Sequence, residues 1–498
     1  MIVARPRRRR LRRPCFLALA VLAAALRPAG VPPPALAGEI DDLRQQAEQL
    51  IDELQRELDA VRAERRSLEA ERSRLEEERK ALEAERTPEE GSAPTVAEAP
   101  TEADRKVSIL AAEVERLKET IVLPESKEYK SYYGLGPAAS KIYQMNRGLS
   151  IGGYGEANFS GTVTDRDQSK NTADLLRFVL YTGYKFTDRL LLNAEIEIEH
   201  ATTEETASSD DGSVSVEFAY LDYLASDPFN LRGGLFLVPL GFINEIHEPV
   251  FFYGVHRPEV ELRIIPTTWR ELGVGAFGNL HPDLAYRAYL STSLNAEGFD
   301  SDGIRDGRQQ GSEALAEDPA GSMRLDYTPH QVPGLLIGAS AFLGDTGEDQ
   351  DFDGHHPNAF LTLWDVHAQY RYRGLSLRAL AAFGNLDDAG TLSRAAGETI
   401  ADRFEGWYAE AGYDIMPYVQ PSLSTQSLEP FFRYEHFDTQ AGVPQGFVRD
   451  LGKEVDLYTL GVMYKPHPQV ALKLDYRNFV PRRGSRPNDV NIGLGFIF

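Results

Sequence analysis

From Leu190 to Glu199 the chain sets a carboxylate at every second position, Glu195, Glu197 and Glu199, with aliphatic residues between them. Strand side chains alternate with a period of two, so this spacing aims all three acids to one side of an extended chain. A face of adjacent carboxylates needs water or facing cations, because an isolated charge is costly to desolvate. Cations recur on the polar side of other alternating segments: Arg177, Arg270, Arg287, Arg324, Arg371, Arg378, Arg433, Lys473 and Arg477. Glu217, Asp326, Asp365 and Asp475 stand among them. Rows of opposite charge facing each other across water create a transverse field that sorts polar solutes. That is the chemistry of passage, not of bond breaking.

Sequence motifs for catalysis are weak. His247-Glu248 has no histidine four residues after His247, where Phe251 stands, so the zinc-protease pattern fails. No phosphate-binding loop and no pair of carboxylates placed for acid–base work is found, and an enzyme is not expected. Asp349, Asp351 and Asp353 followed by Gly354 open like a calcium loop, but Phe360 holds the twelfth position where a glutamate belongs. Asp300, Asp302 and Asp306 form a second acidic, Gly-containing loop. Calcium in these surface loops, or a divalent metal at His355-His356, is the alternative to solvated turns. Otherwise no metal or cofactor is expected.

The elements that carry these charges read as strands. Leu190, Leu192, Ala194, Ile196 and Ile198 oppose Asn193 and the three glutamates. Val214, Val216, Phe218 and Tyr220 oppose Ser215 and Glu217; Leu284 to Leu290 and Leu375 to Phe383 alternate in the same way. At the end of the chain Val470, Leu472, Leu474 and Tyr476 form one apolar face, and Val490, Ile492, Leu494, Phe496 and Phe498 another. Segments of this length, apolar on one side and polar or small on the other, are the unit of a transmembrane β-barrel. Short turns alternate with long polar loops near 163–171, 201–212, 242–268, 296–319, 345–357, 385–402, 438–453 and 481–487. The count predicts an all-β transmembrane barrel of about sixteen antiparallel strands over 148–498, wide enough for an aqueous channel. Tyr184, Tyr220, Tyr223, Phe252, Tyr408, Tyr413, Tyr464 and Phe498 lie near strand ends and suit interfacial girdles.

An α-helical coiled-coil arm is expected ahead of the barrel. Ile40, Ala47, Leu54, Val61, Leu68, Leu75 and Leu82 are seven apart, which reads as a heptad over 38–86. Its second seam turns acidic at Glu57, Glu64 and Glu71, so it would be a weak dimer, and a solvated single helix is the alternative to an oligomerising stalk. A Pro-, Glu- and Ala-rich linker covers 87–102. A short second heptad (103–123) holds Val107, Leu110, Val114, Leu117 and Ile121, and a connector occupies 124–147. Residues 1–37 read as a secretory signal: a run of arginines, an apolar stretch from Cys15 to Leu26 and Ala35-Leu36-Ala37. The sole cysteine lies in that segment, so no disulfide is expected. Its eight arginines would leave with it, taking the formal charge of the 498-residue chain from −23 to −31. Nucleic acid is excluded as a partner on that balance. At a mean hydropathy of −0.36 the chain is no helical membrane protein.

The stretch from Gly241 to Glu271 stands apart, too apolar and aromatic for a waving surface loop. Glu245, His247, Arg257 and Arg263 within it are candidates for an inward-folded constriction. This stretch with its Ile-Pro-Thr-Thr-Trp-Arg-Glu run, the Gly148 to Glu156 segment and the terminal Phe498 together resemble the phosphate-selective porin O/P family. The resemblance spans about residues 130–498. It implies a sixteen-stranded, usually trimeric diffusion channel of the outer membrane, with Phe498 as the signal read by the barrel-assembly machinery. Outer-membrane lipid and lipopolysaccharide would then surround the barrel, and the arm would lie in the periplasm, with peptidoglycan as a candidate contact. Family members that bind phosphate line the pore with Lys and Arg, whereas this chain mixes arginines with acids. That departure leaves anions, phosphate included, as one option among small polar solutes. A structural anchor tethering the envelope through the arm is the other reading.

Overall fold

The computed structural model describes residues 131–163, 171–203, 212–423 and 425–498. The expected signal, both heptads and the linker fall outside the described residues. Sixteen strands succeed one another: β1 (Gly148–Thr162), β2 (Thr172–Lys185), β3 (Leu190–Glu199), β4 (Val214–Ser226), β5 (Phe229–Leu237) and β6 (Arg270–His281). Next come β7 (Leu284–Ser291), β8 (Ala320–Tyr327), β9 (Leu335–Asp345), β10 (Phe360–Tyr372) and β11 (Leu375–Leu386). The last are β12 (Arg403–Tyr413), β13 (Ser427–Gly442), β14 (Glu454–His467), β15 (Val470–Pro481) and β16 (Asp489–Ile497). Each pairs antiparallel with its neighbour in sequence, and β16 pairs with β1, which closes the barrel and removes every sheet edge. The ladder continues past β16: Phe498 N–H donates to the Gly153 oxygen at 2.9 Å, and Gly153 N–H returns to the Phe498 oxygen at 3.0 Å.

The outer face is apolar and exposed, with Leu149 59% and Leu460 63% accessible. Inward-facing Arg, Glu and Asp are buried instead, the inverse of a water-soluble protein. The alternation of β3, β7, β11, β15 and β16 is as the sequence reads. In β4 it breaks. Glu195 pairs with Phe218 and Ile196 with Val216, so Glu217 is an extra residue in the ladder. A β-bulge of this kind re-aims the side chains beyond it. Val214 and Val216 point outward, but Phe218 and Tyr220 are buried inside, against expectation.

The girdle reading needs a matching correction. Tyr184, Tyr223, Tyr413 and Phe498 are exposed on the outside, whereas Tyr220, Phe252 and Tyr408 are buried, and Tyr464 is half-buried with its hydroxyl on Gln426 at 2.7 Å. One end of the barrel carries two- to seven-residue turns except between β12 and β13. There residues 414–426 hold a helical turn, Met416–Val419, which the sequence reading passed over.

Two segments occupy the interior. One precedes β1 and contains a helical turn, α1 (Lys141–Gln144). Residues 131–147, read from sequence as a connector, place Leu135, Ala138, Ala139 and Ile142 at 4% exposure or less against the inner wall. The other is the long β5–β6 connection, residues 238–269, with a helical turn of its own, α2 (Val260–Arg263). The wall receives both segments on glycines. A Cβ at Gly183 would lie 2.9 Å from Ile142 Cγ1, and one at Gly495 would lie 2.5 Å from Pro249 Cβ. Only a residue without a side chain permits such approach.

Candidate functional site

The 238–269 loop is knotted at its base by Asn244. Its amide donates to the main-chain oxygens of Val238 at 2.6 Å and Trp269 at 2.8 Å, and its oxygen accepts from Trp269 N–H at 2.6 Å. The Trp269 ring is buried against Phe342, and its indole N–H reaches Glu271 at 2.8 Å. Inside the loop, Glu261 of α2 accepts from the N–H groups of Phe242 at 2.7 Å and Ile243 at 2.6 Å. Its second oxygen accepts from Tyr408 on the far wall at 2.6 Å. These contacts hold the loop as a folded body, not a tether.

The loop crosses the lumen and hooks onto β13, β15 and β16. Arg433 donates to the main-chain oxygen of Tyr253 at 3.1 Å while pairing with Glu410 at 3.1 Å and Glu435 at 2.8 Å. Val255 N–H donates to Asp475 at 2.5 Å, and Tyr253 hydroxyl donates to Glu429. Glu259 pairs with Arg263 at 2.7 Å and with Arg477 at 3.2 Å. Burial opposes charge on Glu259, but Arg477, Arg263 and Arg486 outweigh it and hold its carboxyl down at about 2. Lys473 Nζ sits 3.7 Å over the Phe252 ring, a cation–π contact.

The candidates singled out in sequence divide by depth. Arg177, Glu195, Glu197, Glu217, Arg270, Arg287, Arg324, Arg378, Arg433, Lys473 and Arg477 are buried inside the barrel, as are Glu245 and His247 on the loop. Glu199, Arg257 and Arg263 are half-buried, and Arg371 is exposed at the short-turn mouth. Most are paired. Arg177 contacts Glu197 at 3.4 Å and Glu156 at 3.5 Å; Arg287 joins Glu245 at 3.1 Å and Asp326 at 2.6 Å; Arg324 joins Asp326 at 2.8 Å. His367, not singled out in sequence, bridges Asp326 at 3.0 Å and Asp365 at 2.6 Å.

The long-loop end holds residues that the sequence reading missed. Arg305 donates to the main-chain oxygens of Leu262 and Thr267, and Arg308 to those of Pro266 and Thr268. They strap the 292–319 loop onto the 238–269 loop. Burial and neighbouring guanidinium groups, Arg257 among them, press Arg305 down from its ordinary value, and burial with Arg270 does the same to Arg308. Among the described residues none of Arg257, Arg305 and Arg308 forms an ion pair. The sequence reading named Arg257 but passed over Arg305 and Arg308, because the Asp300–Asp306 run that contains Arg305 was read for its acids.

At the short-turn end, α1 and its flanks occupy one side of the mouth. Tyr143 hydroxyl donates to Asp222 at 2.6 Å, Arg232 donates to Tyr143 at 3.1 Å, and Asn193 donates to the Ala139 oxygen at 3.1 Å. On the other side, a cavity of about 370 Å³ opens between Phe251 to Tyr253 of the loop and Arg371, Glu410, Glu429 and Lys465.

The acidic loops place their groups differently from the 238–269 loop. Asp351 accepts from Gly354 N–H at 2.7 Å, and Asp300 from Asp302 N–H at 2.7 Å, so one oxygen of each closes its own turn. One further spacing, Gly148-Leu149-Ser150-Ile151-Gly152, matches the nucleophile elbow of hydrolases. Ser150 lies within the β1 ladder opposite Gly183, not on a strand-to-helix turn, so the required context is missing.

No family model matches the chain. Among solved structures, it is similar to OmpF of Salmonella typhi in complex with daunomycin, at 15% identity and a TM-score of 0.48 over 72% of this chain and 99% of that one. It is also similar to the outer membrane channel DcaP of Acinetobacter baumannii, at 14% identity and a TM-score of 0.44 over 70% and 97%. A protein of Aquifex aeolicus (strain VF5), described as uncharacterized, is 40% identical over 374 residues, 72% of this chain and 82% of the relative. Identity of that extent is shared ancestry, and the chain belongs to the same family as this Aquifex aeolicus protein.

Proposed function

We propose that the chain is an outer-membrane channel that passes small polar solutes by diffusion, with its waist set by residues 238–269. The observation that carries this reading is the hook of that loop on Arg433, Asp475 and Arg477, which supports a polar, charge-lined passage narrowed by the loop. An apolar outer belt supports the membrane placement, since a closed barrel satisfies every backbone group in lipid. Three such barrels side by side, with Phe498 presented to the assembly machinery, complete the porin reading. Anions are favoured, because Arg257, Arg305 and Arg308 stand without ion-pair partners among the described residues at the long-loop end. Phosphate is one such anion.

A second reading has its own support. Residues 131–147 fill one side of the short-turn mouth, which suits an anchor whose arm leads out of a largely closed barrel. Uptake by proteoliposomes separates the two. The channel reading expects swelling in small sugars and amino-acid salts, falling off with solute size. A folded, heat-modifiable barrel that passes none of them would leave the anchor.

A further inference from the structure

His247 enters the lumen from the loop, Glu195 from β3, and Glu217 from the bulge of β4. Their ligand atoms lie within 4.8 Å of one another. His247 Nε2 is 3.2 Å from Glu195 Oε1 and 3.2 Å from Glu217 Oε2, and all three residues are at most 1% exposed. The other ring nitrogen, Nδ1, lies 3.2 Å from the Asn244 main-chain oxygen. A metal-bound histidine is ordinarily oriented in this way, its second nitrogen donating to a carbonyl.

We propose that His247, Glu195 and Glu217 bind one divalent transition-metal cation that clamps the loop to the wall. Ligands about 2.0–2.2 Å from a tetrahedral zinc stand roughly 3.3 Å apart, and the two 3.2 Å separations match that spacing. A mixed imidazole and carboxylate set favours zinc or a neighbouring first-row ion over calcium or magnesium.

Charge balance points the same way. Glu195, Glu197, Glu217 and Glu248 are four buried carboxylates in one neighbourhood. Arg177 serves Glu197 at 3.4 Å and is shared with Glu156, and Arg270 reaches Glu217 only at 3.5 Å. Glu195 Oε2, both Glu248 oxygens and the Tyr154 hydroxyl have no hydrogen-bond partner among the described residues. Tyr154, fully buried, packs edge-on to the His247 ring at 5.8 Å. Buried carboxylate oxygens without donors are costly unless a cation faces them. A divalent ion supplies two charges where an imidazolium supplies one.

The test uses the full chain refolded into detergent with zinc chloride, then freed of excess metal, with bound zinc counted by mass spectrometry. About one zinc per folded chain is expected, falling more than fivefold in His247→Gln and in Glu195→Gln, each checked for heat-modifiable migration. Chelation is expected to lower the unfolding temperature of the wild type and leave the His247→Gln barrel unmoved. Zinc content no higher in the wild type than in either folded variant would overturn the site and leave an imidazolium shared by two glutamates. Because zinc is counted without any measurement of transport, the outcome stands apart from the channel reading.

Discussion

Arg433 of β13 donates to the main-chain oxygen of Tyr253 at 3.1 Å across 180 positions of sequence, while its ε nitrogen holds Glu435 at 2.8 Å. One buried guanidinium thus joins the far wall of the barrel to the crossing loop. Truncation to alanine strands Glu410 and Glu435 without a cation. Breaking a buried pair by removing one partner costs about 3–5 kcal/mol. Arg433→Ala is expected to lower the urea midpoint of the folded barrel and to raise single-channel conductance as the loop detaches.

Gly495→Val tests the same crossing from the wall side. The added Cβ would lie 2.5 Å from Pro249 Cβ, closer than carbon atoms pack. The outer face of β16 is unchanged by this substitution, so the barrel is expected to assemble with its heat-modifiable migration intact. Its conductance should differ from that of the wild type, and an identical trace would show that the loop does not rest on β16.

Asn244→Ala removes two donors and one acceptor that close the loop base. Each buried group left unsatisfied costs about 1–3 kcal/mol. The Val238 and Trp269 oxygens keep the N–H groups of Leu240 and Val238, so Trp269 N–H is the group orphaned. A loss of about 1–3 kcal/mol is expected in equilibrium unfolding, with Trp269 fluorescence shifting toward that of a solvated indole.

The strand pattern was legible because a period of two survives wherever one face meets an apolar surround and the other a polar lumen. Glu195 and Glu197 alternate onto the buried inner face for that reason. Phe218 and Tyr220 departed from expectation, because the bulge at Glu217 shifts the phase by one residue and no composition signal marks it. Tyr408 and Phe252 failed for a different reason: aromatics pack inside against a loop as readily as they lie at an interface, and only the position of Glu261 and Lys473 distinguishes them. Residues 131–147 looked like a connector, since four buried apolar side chains in a short polar stretch carry no periodicity. The meeting of His247 with Glu195 and Glu217 depends on the crossing itself, which separates the three by no fixed spacing.

Ile142→Arg probes the segment at the short-turn mouth. Ile142 is 1% exposed beneath Gly183, and a guanidinium there would be both overpacked and stripped of water. Expulsion of residues 131–147 is expected, read as new protease cleavage near Ile142 and as a larger conductance. Cleavage without a conductance change would show that this segment does not restrict the passage.

The paired change Arg305→Ala with Arg308→Ala removes two guanidinium groups from the long-loop end. A charge near solvent contributes about 1 kcal/mol to an ion a few ångströms away. The anion-to-cation permeability ratio, taken from the reversal potential in asymmetric low salt, is expected to fall by a factor of about 3–10.

The crossing of the lumen by residues 238–269 can be switched within one molecule. A Cβ at Gly493 would lie 3.5 Å from Val255 Cβ, within the range a disulfide spans. Val255→Cys with Gly493→Cys, built into the Arg433→Ala chain, should therefore lock the loop when oxidised. The measurement is single-channel conductance in a planar bilayer before and after adding dithiothreitol. A conductance near that of the wild type when oxidised, stepping up on reduction, is the predicted result. A conductance that reduction leaves unchanged would contradict a waist set by this loop.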